Sequence, residues 1–241
     1  MANNLYRIYQ TTWNCLDWVF PPFCSGCGKA GVRWCDDCEI SLGTLPPPVC
    51  QRCGLPLRIG EKCPDCAIET FLFTRAASRY SYEGPIKNAL HRLKYNNDLG
   101  IADVLAMRMS DHLEDLQWRI DLVVPVPLGR ERRKERGYNQ SAMLAYPLAM
   151  KLGLKYSSHI LKRIRETGSQ VNLTGEERRK NVARAFGANR VAVKGMVVLV
   201  VDDIITTGAT MQECSRALLD AGASEVYGLS VARTGNRMSA T

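Results

Sequence analysis

The sequence predicts an α/β protein in which a parallel sheet with helices on both faces follows a small, cysteine-rich N-terminal segment. From Phe71 onward, strand patterns alternate with helix patterns, and this alternation is typical of parallel sheets. Before that point, eight of the ten cysteines form four Cys-x-x-Cys pairs between Cys24 and Cys66. We therefore expect two regions, a metal-stabilised segment at 1–70 and an α/β domain at 71–241.

Residues 5–20 predict a short helix, because apolar side chains recur at helical spacing and two prolines at 21–22 stop it. We expect this helix to pack against the protein core or between the two regions rather than against a membrane. No apolar stretch approaches the roughly 20 residues of a membrane span, and the N-terminus lacks a signal-peptide pattern. With 46% hydrophobic and 23% charged residues, the composition is that of a soluble protein, and we expect it to be cytoplasmic.

The segment from 23 to about 70 is rich in Cys, Gly and Pro and cannot build an apolar core by itself. Two residues between paired cysteines let both thiolates of a tight turn face one metal ion. Four thiolates complete a tetrahedral Zn²⁺ site and leave no open position for catalysis, so eight predict two structural zinc sites. The predicted ligands are Cys24, Cys27, Cys35, Cys38, Cys50, Cys53, Cys63 and Cys66.

The pairing of these cysteines has two solutions. Sequential sites at 24–38 and 50–66 would form a double zinc ribbon, whereas a cross-braced arrangement would exchange the pairs. We favour sequential sites, because each then closes a short loop and can fold independently. Whether the segment is only a structural staple or also contacts nucleic acid or a protein stays open. Cys15 and Cys214 lie outside the pattern, and we expect both to be buried as small hydrophobic residues.

In the α/β region the patterns predict strands at 76–82, 121–126, 196–201 and 226–232. They predict helices at 85–95, 101–116, about 139–152 and about 209–221, and a loop between the second strand and residue 137. His91, Arg92 and Lys94 fall within one turn of the first of these helices. We expect them to form a basic patch.

The stretch VVLVVDDIITTGATMQ, residues 197–212, places two aspartates at the end of a buried strand. Open α/β sheets bind their ligands at the carboxyl ends of strands. The loop at 204–209 leads into a helix N-terminus, whose free backbone amides accept phosphate. Two carboxylates repel phosphate, and their natural partners are adjacent hydroxyls or Mg²⁺. The stretch therefore predicts a site for a phosphorylated sugar with two adjacent hydroxyl groups.

The same stretch resembles the signature by which type I phosphoribosyltransferases bind phosphoribosyl pyrophosphate. The resemblance implies a type I phosphoribosyltransferase-like sheet and a Mg²⁺-dependent ligand site, in which Asp202 and Asp203 hold the ribose hydroxyls. It implies that the following turn cradles the 5′-phosphate, with contacts from Thr206, Thr207, Gly208, Ala209 and Thr210. Relatives that act on 6-oxopurines commonly carry aspartate where this chain has Thr206, so we do not expect that class of acceptor.

The order of motifs along nearly the whole chain resembles the ComF family of competence-associated proteins. These motifs are CSGCG, CDDC, CQRCG, CPDC, YEGPIKNALHRLKY, VPVPLGRERRKERGYNQS, RETGSQVNLTGEERRKN and the signature itself. Members are phosphoribosyltransferase-like and commonly contain zinc. In naturally transformable bacteria they are implicated in bringing single-stranded DNA into the cytoplasm. The resemblance therefore implies phosphoribosyl pyrophosphate, single-stranded DNA and proteins of the DNA-uptake machinery as partners.

By the same resemblance, the loop after the second predicted strand contacts pyrophosphate, unless it is merely a proline-rich strand exit. The candidates there are Pro127, Leu128, Gly129 and Arg130. The run RERRKERGYNQ at 130–140 carries five basic residues, enough to neutralise a diphosphate or several nucleic-acid phosphates. We predict diphosphate or nucleic-acid contacts from Arg132, Arg133, Lys134, Arg136, Tyr138, Asn139 and Gln140, with the tyrosine ring stacking on a base. The basic stretch at 165–181 is expected to form either a flap over the site or an exposed helix.

A formal net charge of +8 favours an anionic partner. The leading hypothesis is a phosphoribosyltransferase-like protein that binds phosphoribosyl pyrophosphate with Mg²⁺ and takes part in uptake or processing of single-stranded DNA. The alternative is a non-enzymatic, DNA-binding import adaptor whose ligand site is regulatory or vestigial. A structural zinc-ribbon interaction protein is a third and weaker hypothesis. Neither His91 nor His159 lies in a motif that fixes its geometry, so the sequence assigns no catalytic residue.

Overall fold

The structure is a computed structural model that describes residues 4–59, 63–68, 70–165 and 181–235. The first part holds three helices: α1 (Asn4–Val19), α2 (Asp36–Ile40) and α3 (Pro64–Ile68). The remainder alternates strands and helices: β1 (Arg75–Ser81), α4 (Gly84–Tyr95), α5 (Gly100–Leu116), β2 (Leu122–Pro125), α6 (Arg130–Arg136), α7 (Gln140–Leu152), β3 (Lys155–Tyr156), β4 (Leu161–Arg163), β5 (Phe186–Ala188), α8 (Arg190–Val193), β6 (Val197–Ile205), α9 (Ala209–Asp220) and β7 (Glu225–Arg233).

Five strands form one parallel sheet in the order β1-β7-β6-β2-β3, and β4 pairs with β5 as a separate antiparallel ribbon. The two nine-residue strands β6 and β7 lie at the centre of the sheet. Because the pairs are parallel, their carboxyl ends meet at the same edge. The predicted fold class, a parallel sheet with helices, is confirmed.

The sheet is covered on both faces, as the alternation of side chains along β6 makes clear. Val198 and Val200 belong to a core that includes residues of α9, whereas Leu199 and Val201 belong to a core built with α4, α5 and α7. Strands buried on both faces carry continuous apolar runs, which explains the unbroken VVLVV sequence. No helix within the described ranges combines the length and the apolar character needed to cross a membrane.

The order of the predicted strands and helices is confirmed, with two larger differences: one unpredicted helix and one strand that is longer than predicted. Residues 130–136, predicted as a loop, form α6, because Arg, Lys and Glu are good helix formers and Gly137 ends the helix with a φ of +81°. The strand predicted to end at 201 continues to Ile205, because β7 pairs with it as far as Arg233.

Several elements were not predicted, among them the short strands β3, β4 and β5 and the one-turn helix α8. They are too short to show hydrophobic periodicity. Cys214 is buried, as expected, but Cys15 is exposed on α1, so its predicted burial was wrong. Most of the basic stretch at 165–181 lies outside the described residues, and the boundary at residue 70 stays a prediction.

Candidate functional site

A cleft of about 660 Å³ lies at the carboxyl ends of β2 and β6. It brings together the acidic pair, the loop before α9, the exit of β2 and one side of α6. The predicted site residues in its wall are Pro127, Leu128, Arg132, Arg136, Gln140, Asp202, Asp203, Thr206, Thr207, Gly208, Ala209 and Thr210. Residues separated by about 80 positions in sequence thus line one cavity.

Other predicted residues lie outside that wall, namely Gly129, Arg130, Arg133, Lys134, Tyr138 and Asn139. The hydroxyl of Tyr138 donates a hydrogen bond to the carbonyl of Leu93, and its ring packs against the core beside α4. The side chain of Asn139 caps α7 by accepting from the backbone amide of Ser141, at 3.1 Å. Both side chains thus have structural partners outside the cleft wall, and their contacts with a ligand stay a prediction.

The acidic pair is held by a network of hydrogen bonds. The hydroxyl of Ser141 donates to Oδ1 of Asp202 at 2.9 Å, and the backbone amide of Asp203 donates to the same oxygen at 2.9 Å. The side-chain amide of Gln140 donates to Oδ1 of Asp203 at 3.4 Å, and Oδ2 of Asp203 forms an ion pair with the ammonium group of Lys94. Helices α4 and α7 thus fix the two carboxylates.

The two aspartates titrate differently. Burial raises the pKa of Asp202 well above its usual range, and the neighbouring carboxylate of Asp203 adds to this effect. Burial opposes ionisation of Asp203 as well, but the ammonium group of Lys94 outweighs it, so the pKa of Asp203 lies below its usual value. Burial likewise disfavours the charge on Lys94, yet the carboxylates of Asp203 and Asp202 raise its pKa. The site therefore holds one firmly ionised carboxylate and one that retains a proton more readily.

Lys94 lies in the cleft wall, although the sequence patterns predict it in a basic patch with His91 and Arg92. The predicted basic patch does not form: Lys94 faces the cleft, Arg92 donates to the carbonyl of Cys24, and the His91 ring packs against Tyr95. The sequence does contain a sign of this position: Lys94 lies at helical spacing from Ile86 and Leu90, on the buried face of α4. A lysine on the buried face of an amphipathic helix indicates a partner of opposite charge. Tyr82, Ser141, Arg163 and Thr234 also line the cleft and were not predicted.

The loop before α9 has the geometry of an anion site. Gly208 adopts a φ of +80° at the N-cap of this twelve-residue helix, and the amide of Ala209 donates to Oγ1 of Thr207 at 3.4 Å. Positive φ brings successive backbone amides to face one point, which suits phosphate oxygens. Phe71 lies beneath the loop and leaves little space there: a Cβ atom added to Gly208 would lie 3.3 Å from its ring.

The eight paired cysteines form two clusters, each with its four Sγ atoms within 4.8 Å of one another. Cluster I consists of Cys24, Cys27, Cys35 and Cys38, and cluster II of Cys50, Cys53, Cys63 and Cys66. The sulfur atoms of Cys24 and Cys38 are 3.6 Å apart, and those of Cys50 and Cys66 are 3.7 Å apart. A tetrahedron with Zn–S bonds of about 2.3 Å has edges of about 3.8 Å, so both clusters fit Zn²⁺. The favoured sequential pairing is confirmed.

Comparison with known proteins agrees with this architecture. A family model described as a double zinc ribbon domain matches residues 15–67, and a phosphoribosyl transferase domain model matches residues 95–236. The second match covers more than half of the chain. Fold, clusters and matches together define the class: a phosphoribosyltransferase-type α/β domain that carries a double zinc ribbon.

Relatives that match most of this chain identify the family within this class. DNA utilization protein YhgH of Salmonella typhimurium is 34% identical over 218 residues, which cover 88% of this chain and 90% of the relative. Competence protein F of Haemophilus influenzae is 28% identical over 83% of this chain and 90% of its own length. Competence protein ComFC of Bacillus subtilis is 28% identical over 80% and 81%. The chain belongs to the ComF family.

Among solved structures, the chain is similar to a glutamine phosphoribosylpyrophosphate amidotransferase from B. subtilis, with a TM-score of 0.39 and 22% identity over 55% of this chain and 26% of that one. Adenine phosphoribosyltransferase from Saccharomyces cerevisiae gives a TM-score of 0.37 and 19% identity over 54% of this chain and 67% of that one.

Proposed function

We propose that the chain binds phosphoribosyl pyrophosphate with Mg²⁺ in this cleft and serves, in the cytoplasm, in the uptake or processing of single-stranded DNA. One observation carries the ligand assignment: the pair Asp202-Asp203 and the loop leading into α9 line one cavity with two arginines of α6. The names of the relatives, a DNA utilization protein and two competence proteins, support the link to DNA and to the uptake machinery as partner.

Each part of the cleft suits one part of this ligand. Asp203, kept ionised by Lys94, is an acceptor for ribose hydroxyls, and the loop at 206–210 offers backbone amides and hydroxyls to the 5′-phosphate. Arg132 and Arg136 suit the diphosphate, because guanidinium groups bind phosphate oxygens in pairs. Carboxylate and phosphate oxygens are the ligands that Mg²⁺ prefers, so the acidic pair and the diphosphate would hold it, and it would neutralise part of their charge.

In a transferase reaction, an acceptor nucleophile would displace pyrophosphate at C1 of the ribose. The chain would orient the sugar through Asp203 and stabilise the departing negative charge through Arg132 and Arg136. Thr206 in the cleft wall supports an acceptor other than a 6-oxopurine. A screen of acceptors that monitors pyrophosphate release tests for turnover.

Calorimetric titration of the zinc-loaded chain with phosphoribosyl pyrophosphate and Mg²⁺ tests the proposal. We expect saturable binding that Asp203→Ala abolishes. The matched control is Asp220→Asn on the exposed face of α9, which should bind as the wild type does. If the wild-type chain shows neither heat nor a shift in melting temperature, the ligand assignment fails.

The second candidate function, a DNA-binding adaptor, is favoured by α6. None of the described residues of α6 is buried, and five of its seven residues are basic. Phosphate contacts release counterions, so binding of a single strand should weaken as salt rises. Arg133→Gln and Lys134→Gln, both outside the cleft wall, should each lower the slope of log affinity against log salt by about 1. Unchanged slopes in both variants, together with intact sugar-phosphate binding, would remove α6 from DNA recognition.

A further inference from the structure

Helix α4 joins cluster I to the ligand cleft. Near its N-terminus, the side chain of Asn88 donates to the carbonyl of Gly26 at 2.8 Å. One turn later, Nη1 of Arg92 donates to the carbonyl of Cys24 at 3.2 Å. Residues 24–26 lie in the turn between the first two ligand cysteines of cluster I, so the helix is bound to the backbone that this cluster organises.

Two further contacts tighten this attachment. The buried hydroxyl of Ser25 donates to Oδ2 of Asp98 at 2.5 Å, just beyond the end of α4. At the start of α4, Pro85 packs so closely on the turn that a Cβ atom on Gly26 would lie 2.9 Å from its Cβ. The turn therefore contacts the chain on both sides of Lys94, through α4 before it and through Asp98 beyond the end of the helix.

The side chain of Lys94 reaches the cleft from the far side of the same helix. It forms an ion pair with Asp203, and the two side chains are only 19% and 7% exposed. A cation in this position offsets the repulsion that two adjacent carboxylates exert on an anionic ligand. Because both side chains are largely buried and paired with each other, a displacement of α4 would weaken this ion pair.

We propose that Lys94 is a positioning residue for the anionic ligand and that cluster I sets its position through α4, so that ligand affinity depends on zinc in cluster I. The inference rests on the proposed sugar-phosphate site. Cluster I then has a role beyond local stability, because the Lys94–Asp203 ion pair forms fully only when cluster I is intact. The linked parts are the turn at 24–26, the helix α4 and the Lys94–Asp203 pair.

The first test compares two lysines of α4. Lys94→Met removes the charge but keeps most of the side-chain volume, and we expect the dissociation constant of phosphoribosyl pyrophosphate with Mg²⁺ to rise about tenfold or more. Lys87→Met changes an exposed lysine on the same helix and should leave the constant unchanged. Equal affinities of the two variants would overturn the role of Lys94.

The second test removes an exposed ligand of cluster I by Cys27→Ser and counts zinc per chain. We expect faster hydrogen exchange in peptides covering 84–95, unchanged exchange in β6 and β7, and a loss of ligand affinity similar to that of Lys94→Met. In the double variant the two losses should not add, because both act on the same pair. Additive losses, or wild-type exchange in α4, would overturn the coupling.

If Cys27→Ser does not fold, the combined variant Ser25→Ala, Asn88→Ala replaces it, since it keeps all eight cysteines and both zinc ions. We expect the same faster exchange in α4 and a several-fold weaker ligand affinity. The exchange measurement needs no ligand. Failure of wild-type binding therefore counts against the proposed function, whereas normal binding with unaltered α4 exchange in the variant counts against the coupling alone.

Discussion

The two cysteine clusters have the same ligands and similar spacing, but they lie in different environments. Cys53 and Cys63 of cluster II belong to the same core as Val200 of β6 and Met211 of α9. The buried cysteines of cluster I form a separate small core, with Trp34 packed against it. Cluster II is thus part of the interior of the α/β domain. Cluster I lies beside α4 and is attached by polar contacts and by the packing of Trp34 and Pro85.

The same four-cysteine motif therefore has two structural roles in this chain, and the packing around each cluster determines which. Cluster II supports the loop that leads into α9. Phe71 lies under Gly208 of this loop, and the guanidinium of Arg52, which lies between the first two cysteines of cluster II, donates to the carbonyl of Phe71. The fully buried side chain of Arg233 at the end of β7 donates to the carbonyl of Cys53 and pairs with Asp65. We infer that cluster II maintains the fold and that cluster I sets the position of Lys94 in the cleft.

The largest effect should come from removing one ligand in each cluster. Structural zinc sites contribute on the order of 10 kcal/mol in small zinc domains, comparable with the whole stability of a protein. We expect Cys53→Ser to abolish cooperative thermal unfolding, because its cluster lies in the main core. Cys27→Ser should keep a cooperative transition with one zinc per chain. Circular dichroism and zinc analysis make the comparison, and equal losses in the two variants would contradict it.

The next effect concerns the polar contacts that tie each cluster to the domain. Arg233→Met leaves Asp65 without its cation and the carbonyl of Cys53 without its donor, and we expect a loss of about 3 kcal/mol in the free energy of unfolding. Asn88→Ala, which removes a contact of cluster I, should cost only about 1 kcal/mol. Urea denaturation measures both, and a larger loss for Asn88→Ala would reverse our ranking of the clusters.

A smaller effect tests the support beneath the ligand loop. Gly208→Ala combines a positive φ with a contact to Phe71, and we expect it to cost about 2 kcal/mol and to weaken binding of the sugar phosphate. Gly84→Ala is the matched control. It also has a positive φ, but among the described residues nothing lies within 4 Å of its added Cβ atom. If the two variants lose the same stability, Phe71 does not support the loop.

The smallest effect has the opposite sign and concerns Asp202. Its folded-state pKa is raised by burial and by Asp203, so its ionised form costs stability above that pKa. The cost disappears as the pH falls to the ordinary carboxyl range, about 4. Asp202→Asn should therefore raise the melting temperature by roughly 2–4 °C near pH 8, and by less near pH 5.

Thermal denaturation of both proteins at the two pH values measures this gain, and Asp220→Asn on α9 serves as the control. The same Asp202→Asn variant should bind phosphoribosyl pyrophosphate less well, because it loses a charged acceptor. A gain that grows as the pH is lowered would show that the sign of the shift is wrong.

The fold class, the eight zinc ligands and the glycine-containing loop before α9 could be predicted from the sequence alone. Each of these depends on residues that are close in the chain: the apolar run of β6, the paired cysteines, and Gly208 before α9. Local spacing fixes such features, because helix and strand periodicity and metal geometry act over a few residues. The helix α6 was not predicted, although Arg, Lys and Glu favour helix, because a run of charged residues is also typical of a solvated loop.

The set of side chains that meet in the cleft and the difference between the two clusters depend on tertiary contacts. Lys94 and Asp203 are more than a hundred residues apart, and their ion pair exists because α4 packs on the same face of the sheet as α7. Tyr138, which the sequence predicts to stack on a base, donates a hydrogen bond to the carbonyl of Leu93, another contact between distant segments. The physical reason is that burial and electrostatic pairing depend on contacts between distant segments, which the spacing of residues along the chain does not encode.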